Sequence, residues 1–94
     1  KYEGIPTLIV EVLSPSTKTK DMTAKLNLYM KSGVSEYWIV DLDGRQILQY
    51  AFSQDRDVES LITVRTGETI RSAVFKDLEI SLDDIFRDFA GKQA

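Results

Sequence analysis

The sequence predicts an α/β fold of the α+β kind, in which a mixed β-sheet is flanked by helices. Two apolar runs, TLIVEVL and EYWIVD, have the aliphatic and β-branched composition of buried strands. A stretch with helical spacing lies between them, and shorter alternating segments with glycine turns follow. These three observations predict the element order β-α-β-β-β-β-α.

The first strand carries a glutamate, Glu11, inside the apolar run TLIVEVL, and Pro15 ends the strand. Apolar residues on both sides of Glu11 favour a strand that is buried on both faces, in the middle of a sheet. A carboxylate there costs free energy of desolvation unless it is paired, protonated or bound to a metal. An edge strand with the carboxylate in water is the alternative, and the two interpretations are evenly balanced.

The helix is predicted over Thr19–Ser32, with Met22, Leu26 and Tyr29 on one apolar face and Gly33 as its C-cap. Because this helix follows the first strand directly, its inner face must pack back on the sheet.

Lys25 and Asp21 lie one turn apart at the margin of that apolar face. Taken alone, Lys25 is better explained as a lysine whose stem covers the core edge, and Asp21 as its partner in an i, i+4 ion pair. The functional alternative places Lys25 over the end of the Glu11 strand and makes Asp21 the group that orients it. A carboxylate and a lysine that converge there form a hydrolytic pair.

The segment EYWIVD predicts a second strand, parallel to the first, with Tyr37 and Trp38 in the core. Asp41 is predicted to cap the turn that follows, and Asp43-Gly44 to form a hairpin turn into the third strand.

Two more strands are predicted in VESLITVRTGETIRSAVF, with a turn near Thr66-Gly67-Glu68. ISLDDIFRDFA predicts a short closing helix that directs Ile85, Phe86 and Phe89 to the core.

Composition limits the chemistry. The 94 residues include 12 basic and 15 acidic side chains, and a net charge of −3 argues against holding nucleic acid by bulk charge alone. Without cysteine or histidine, any metal must bind carboxylates and carbonyls, which suits Mg²⁺ or Mn²⁺. No apolar run approaches the ~20 residues of a membrane span, so we expect a cytoplasmic protein without a membrane partner.

We expect residues 1–94 to form a single domain. Because Lys1 leads almost directly into the first strand, we expect this domain to be the C-terminal part of a longer one that lacks its N-terminal strands.

Four blocks of the sequence occur in this order: EVLSPST, the helix pattern KxxxY, GVxEYWxVD, and FKDLEISLDDIF near the end. Together they resemble the Uma2 family of endonucleases, within the PD-(D/E)XK superfamily, over nearly the whole chain. The resemblance implies a restriction endonuclease-like fold, Mg²⁺-dependent hydrolysis of phosphodiester bonds, and DNA as the partner.

The resemblance also implies roles for single residues. Glu11 matches the acidic metal ligand of the superfamily motif, and the carbonyl of Val12 matches its backbone ligand. The lysine of that motif would fall at Leu13, so Lys25 on the following helix takes its place.

Two departures from the family pattern bear on activity. Thr7 stands where the family commonly has aspartate, and the upstream aspartate that supplies the other main ligand would precede Lys1. The fragment alone is therefore expected to be inactive. The alternative is a non-catalytic module with the same fold that dimerises, as a homodimer, or binds a partner. An RNA-binding domain finds little support in the net charge of −3.

Overall fold

The computed structural model describes the backbone of residues 4–13 and 19–93, and the side chains of residues 4–13 and 22–87. Its elements, in chain order, are β1 (Leu8–Leu13), α1 (Thr19–Ser32), β2 (Glu36–Asp41), β3 (Gln46–Phe52), β4 (Val58–Arg65), β5 (Thr69–Arg71), β6 (Glu79–Ser81) and α2 (Leu82–Gln93).

The main sheet has the strand order β1-β2-β3-β4, with β1 parallel to β2 and the other pairs antiparallel. Helix α1 makes the crossover between the two parallel strands. β5 and β6 form a separate antiparallel pair. The predicted mixed α+β fold is confirmed, but the predicted element order lacked β6.

Helix α1 packs on one face of the sheet, which we call the helix side. Strand alternation places Ile9, Glu11 and Leu13 of β1 on this face, next to Tyr37 and Ile39 of β2. The apolar residues of α1 that the spacing singled out pack here: Met22, Leu26, Tyr29 and their neighbour Met30.

The opposite face carries the larger core. Trp38 and Val40 of β2 pack with residues of β3, β4, β5 and α2: Ile47, Val64, Ile70, Leu82 and Phe86. The predictions that Tyr37 and Trp38 are core residues and that Phe86 faces the core are confirmed, with Ile85 partly buried beside them. The side chain of Phe89 lies outside the described residues.

β1 differs from its prediction. Within the described residues it is an edge strand of the main sheet, and Val10 and Val12 are each 51% exposed on the face away from α1. Of the two interpretations, the central strand buried on both faces does not hold within the described residues. The physical reason is that the opposite layer packs on Trp38 and Val40 and reaches β1 only at Leu8.

Two turns follow the predicted chemistry. Gly33 ends α1 with φ of +95°, and the amide of Val34 donates to the carbonyl of Tyr29. After β2, the Asp41 carboxylate accepts hydrogen bonds from the amide of Gly44 and the side chain of Gln46, both at 3.1 Å. The predicted capping role of Asp41 is confirmed.

No described helix has the length and apolarity that a bilayer span requires.

Candidate active site

Glu11 lines a cleft between β1 and α1. The cleft has a volume of about 280 Å³. Its charged lining residues are Glu11 and Lys25, and its other side chains are those of Leu13, Met22, Tyr37 and Ile39. The Glu11 side chain is 28% exposed, so the carboxylate meets both solvent and the apolar wall. The carboxylate therefore faces this cleft from a strand that lies, among the described residues, at the edge of the sheet.

Lys25 reaches the same cleft from the second turn of α1. Its Nζ lies 2.8 Å from Oε1 of Glu11, and its side chain is 39% exposed. The crossover connection causes this contact, because it returns the helix across the strand that precedes it. The expected proximity of Lys25 and Glu11 is confirmed, while the catalytic role of each stays a prediction.

Tyr29 is a residue of this site that sequence reasoning placed only in the core. Its hydroxyl donates to Oε2 of Glu11 at 2.8 Å, and its ring meets Tyr37 edge-on at 5.0 Å. The available signal was the spacing of Lys25 and Tyr29, since residues four apart on a helix point to the same side. Both oxygens of Glu11 therefore accept a hydrogen bond from α1.

These donors hold Glu11 in its ionised form. The hydrogen bond from Lys25 is the largest influence and lowers the pKa of Glu11, while partial burial acts in the opposite direction. The hydroxyl of Tyr29 and the positive charge of Lys25 lower this pKa further. The pKa of Glu11 thus lies below its ordinary value, and the carboxylate is ionised at neutral pH.

Val12 and Asp21 are the remaining residues singled out from the sequence. Val12 lines the cleft, and because its side chain belongs to the opposite face of β1, it contributes backbone there. Asp21 lies on α1 one turn before Lys25, but its side chain is outside the described residues. The structure brings together Glu11, Lys25 and the Val12 backbone.

The atoms in this cleft that could bind a metal ion are oxygen atoms. Among the residues with described side chains, no group of three acidic, histidine or cysteine residues forms a metal cluster. A carboxylate with free lone pairs and a nearby backbone carbonyl nevertheless fits a hard divalent cation that keeps most of its water ligands. The residues that could contact such an ion are Glu11 and Val12.

A second carboxylate, Glu36, is fully buried on the opposite face of the sheet, and no pattern in the sequence predicted it. Its oxygens accept five hydrogen bonds from neutral donors: Trp38 Nε1 at 2.7 Å, Gln49 Nε2 at 2.8 Å, Ser72 Oγ at 2.6 Å, and the amides of Ala73 at 3.0 Å and Val74 at 3.3 Å.

Burial raises the pKa of Glu36, but the hydrogen bonds from Ser72, Gln49, Trp38 and the Ala73 amide lower it by more. Glu36 is therefore an ionised structural group, which ties β2 to the segment that follows β5. It faces away from the cleft and takes no part in the candidate site.

Two comparisons with known proteins return matches. Residues 1–83 match the family Uma2, whose description is "Putative restriction endonuclease". Among solved structures, the chain is similar to one described as a "putative nuclease belonging to DUF820" from Anabaena variabilis ATCC 29413, with 20% identity and a TM-score of 0.71. That match covers 87% of this chain and 44% of the other, so this chain spans less than half of its length. No curated protein matches the sequence.

Proposed function

The chain belongs to the Uma2 family, and from this premise we propose that it hydrolyses phosphodiester bonds in DNA with Mg²⁺ or Mn²⁺ as cofactor. The observation that carries the proposal is the 2.8 Å contact between Lys25 and Glu11 inside a cleft. A carboxylate that can bind a metal and a cation that can stabilise developing negative charge are two of the groups that metal-assisted phosphodiester hydrolysis uses.

In this proposal, Glu11 and the Val12 carbonyl hold the divalent cation. When bound, such a cation polarises the phosphoryl oxygen and lowers the pKa of water beside it. Glu11 is suited to this role because Lys25 and Tyr29 fix the orientation of its carboxylate and keep it ionised. Each carboxylate oxygen retains a lone pair, so a cation can bind without loss of these hydrogen bonds.

Lys25 acts on the substrate. Its ammonium can donate several hydrogen bonds at once, so it can stay on Glu11 while it approaches a phosphate oxygen. Negative charge on the phosphoryl group grows in the transition state, and a cation placed beforehand stabilises that charge without reorganisation. Asp21, one turn earlier on α1, is proposed as the group that orients Lys25.

The test is a set of three variants in the complete protein, with isothermal calorimetry for metal binding and plasmid nicking for cleavage. Glu11→Gln is expected to abolish binding of Mn²⁺ or Mg²⁺, because it removes the negative charge that a hard cation needs. Lys25→Ala is expected to retain metal binding but to lower the cleavage rate by about 10²-fold or more.

Lys31→Ala is the matched control. Lys31 is exposed in the last turn of the same helix and does not line the cleft. This variant should bind metal and cleave DNA as the wild type does. A protein that binds no divalent metal and nicks no DNA, with all three variants indistinguishable from it, would disprove the proposal.

One observation favours a second candidate function. Both oxygens of Glu11 already accept hydrogen bonds from α1, which is also the arrangement of an ion pair that only stabilises the fold. A non-catalytic module that binds a partner or a second copy would keep this pair without metal chemistry. Calorimetry separates the two candidates, because only the nuclease binds a divalent cation at Glu11.

A further inference from the structure

Two turns of the sheet hold an arginine in the left-handed backbone conformation. Arg45, in the turn between β2 and β3, has φ of +51°, and Arg56, in the turn between β3 and β4, has φ of +65°. Glycine and asparagine adopt this conformation much more readily than other residues do. Because an arginine there costs free energy, its presence points to a contribution from its side chain.

The turn that carries Arg56 is a three-residue hairpin loop. The amide of Ser53 donates to the carbonyl of Asp57 at 2.8 Å, and the amide of Arg56 donates to the carbonyl of Ser53 at 2.9 Å. In hairpin loops of this length the third residue is left-handed, and glycine is preferred there. The geometry of the turn therefore explains the backbone conformation of Arg56 but not the choice of arginine.

The Arg56 side chain reaches the C-terminal end of α1. Its Nη1 donates to the carbonyl of Lys31 at 2.9 Å, across 25 positions of the sequence. Its Nη2 lies 4.0 Å from the position that a Cβ on Gly33 would occupy, so the guanidinium lies against the helix end. A cation beside the last carbonyls of a helix also interacts favourably with the helix dipole.

The Lys31 carbonyl depends on this donor because the local chain does not supply one. The last carbonyls of a helix lack partners inside the helix. Those of Tyr29 and Met30 accept the amides of residues 33–34, which form the C-cap. The carbonyl of Lys31 would need the amide of Ser35, which instead donates at 3.1 Å to a carbonyl of the segment before β1.

The turn of α1 that Arg56 contacts is also the turn that carries Tyr29. The Tyr29 hydroxyl donates to Oε2 of Glu11 at 2.8 Å, and Lys25, one turn earlier, donates to Oε1 at the same distance. Glu11 itself is held by the pairing of β1 with β2. The hydrogen bond between Tyr29 and Glu11 therefore requires that the last turn of α1 be fixed to the sheet.

We propose that Arg56 is a positioning residue of the candidate active site. Its hydrogen bond to the Lys31 carbonyl fixes the last turn of α1 to the sheet and so keeps Tyr29 on Glu11. Arg56 acts through the helix, because it does not line the cleft. The catalytic meaning of this inference rests on the proposed function, in which Glu11 binds the cation.

The closing experiment places glycine, in the complete protein, at each of the two arginine positions. Arg56→Gly removes the hydrogen bond to α1 together with the backbone strain. Arg45→Gly removes the same kind of strain and the same charge. The Arg45 side chain is exposed and, within the described part of the chain, makes no hydrogen bond or ion pair. The pair of variants therefore isolates the contact with α1.

The first measurement, without metal or DNA, is the NMR titration of the Glu11 carboxyl carbon. Arg56→Gly should raise the pKa of Glu11, because the donor on Tyr29 is held less firmly. Arg45→Gly should leave this pKa unchanged. About 0.5 M salt is used, where the Debye length is about 4 Å, so that the loss of a distant charge does not contribute.

The second measurement is hydrogen exchange of the Val34 amide, which donates to the carbonyl of Tyr29 at 3.1 Å. In Arg56→Gly this amide should exchange about three- to tenfold faster, as expected when one hydrogen bond at the helix end is lost. Arg56→Lys keeps a cationic donor and should restore about half or more of this change.

Global stability separates positioning from stabilisation. In Arg56→Gly the relief of strain opposes the loss of the hydrogen bond, so the thermal midpoint should stay within about 4 °C of the wild type. A shifted Glu11 titration at nearly unchanged stability is expected only of a positioning residue. Circular dichroism verifies folding, and Arg56→Asn, which also tolerates the left-handed conformation, replaces Arg56→Gly if that variant does not fold.

Cleavage links the inference to the proposed function. In Arg56→Gly, kcat for plasmid nicking should fall about threefold or more while KM for DNA is unchanged, because Arg56 acts on the site and not on the substrate. An unmoved Glu11 titration in Arg56→Gly, or an equal shift in Arg45→Gly, would overturn the positioning role. In a wild type that cleaves DNA, that result would leave the proposed function standing. A titration that shifts as expected, in a wild type that neither binds Mn²⁺ nor cleaves DNA, would overturn the proposed function and leave the link between Arg56 and Glu11 standing.

Discussion

Nζ of Lys25 lies 2.8 Å from Oε1 of Glu11, although the two residues are 14 positions apart and belong to different elements. This contact makes the stability of the fold depend on pH. The pKa of Glu11 is lowered in the folded state, so its ionisation stabilises the protein above the unfolded pKa, and this contribution is lost as the pH falls through the folded pKa.

Lys25→Met should therefore flatten the acid side of the stability profile, because without the cation the pKa of Glu11 rises towards its unfolded value. At neutral pH the loss should be at most about 1 kcal/mol, since the pair is partly exposed. Urea unfolding between about pH 7 and about pH 3 measures both effects. Stability curves of the variant and the wild type that run parallel over this range would contradict the expectation.

Tyr29→Phe removes one donor from Glu11 and leaves the ring in place. The variant should lose about 1 kcal/mol of stability and raise the pKa of Glu11, because a hydrogen bond to the charged form is gone. The carbon resonance of the Glu11 carboxyl in an NMR titration reports this pKa. Tyr50→Phe serves as control, and an unmoved Glu11 titration in Tyr29→Phe would show that the hydroxyl does not act on the carboxylate.

Glu36→Gln should be far more damaging than its small chemical change suggests. All five partners of Glu36 are donors, so the amide nitrogen of glutamine meets donors and leaves buried groups unsatisfied. We expect a loss of about 2 to 4 kcal/mol by urea unfolding. Glu79→Gln, in an exposed pair with Arg71, should cost less than about 0.5 kcal/mol. Similar losses in both variants would rule out the special role of Glu36.

Gly33→Ala tests the end of α1. Alanine is strained at φ of +95°, and its Cβ would lie 3.4 Å from Cδ1 of Ile5, so we expect a loss of about 1 to 2 kcal/mol. Gly67→Ala, at φ of +87°, has the same backbone strain but no atom within 4 Å of the added Cβ. The thermal unfolding midpoints of the Gly33→Ala and Gly67→Ala variants should therefore differ only slightly from each other. A Gly33→Ala variant as stable as the wild type would show that the backbone relaxes there.

The features that sequence predicted well are those fixed by local pattern and direct connection. α1 has the predicted bounds of Thr19–Ser32, because its apolar spacing and its C-cap glycine are both local signals. The proximity of Lys25 to Glu11 was predictable because one crossover links the two elements.

The features that were missed depend on distant parts of the chain. β6 has only three residues and forms against β5, so its short pattern carries no strand signal. The exposure of Val10 and Val12 depends on where the second layer stops, and an apolar run does not encode that. In the sequence, Glu36 resembles an ordinary glutamate at the start of a strand. Three of its five donors belong to residues 72–74, in the segment after β5.

Glu36 also has a consequence for the order of folding. Ser72 is 36 residues away, so its hydrogen bond closes late, after a long loop has been ordered. Until then, water must solvate the charge on β2, and that end of the sheet cannot become dry. We expect docking of residues 72–74 to follow the rate-limiting barrier, so that Glu36→Gln speeds unfolding much more than it slows folding. Stopped-flow chevron plots of the variant and the wild type measure this, and a shift confined to the folding limb would place the Glu36 contacts in the nucleus instead.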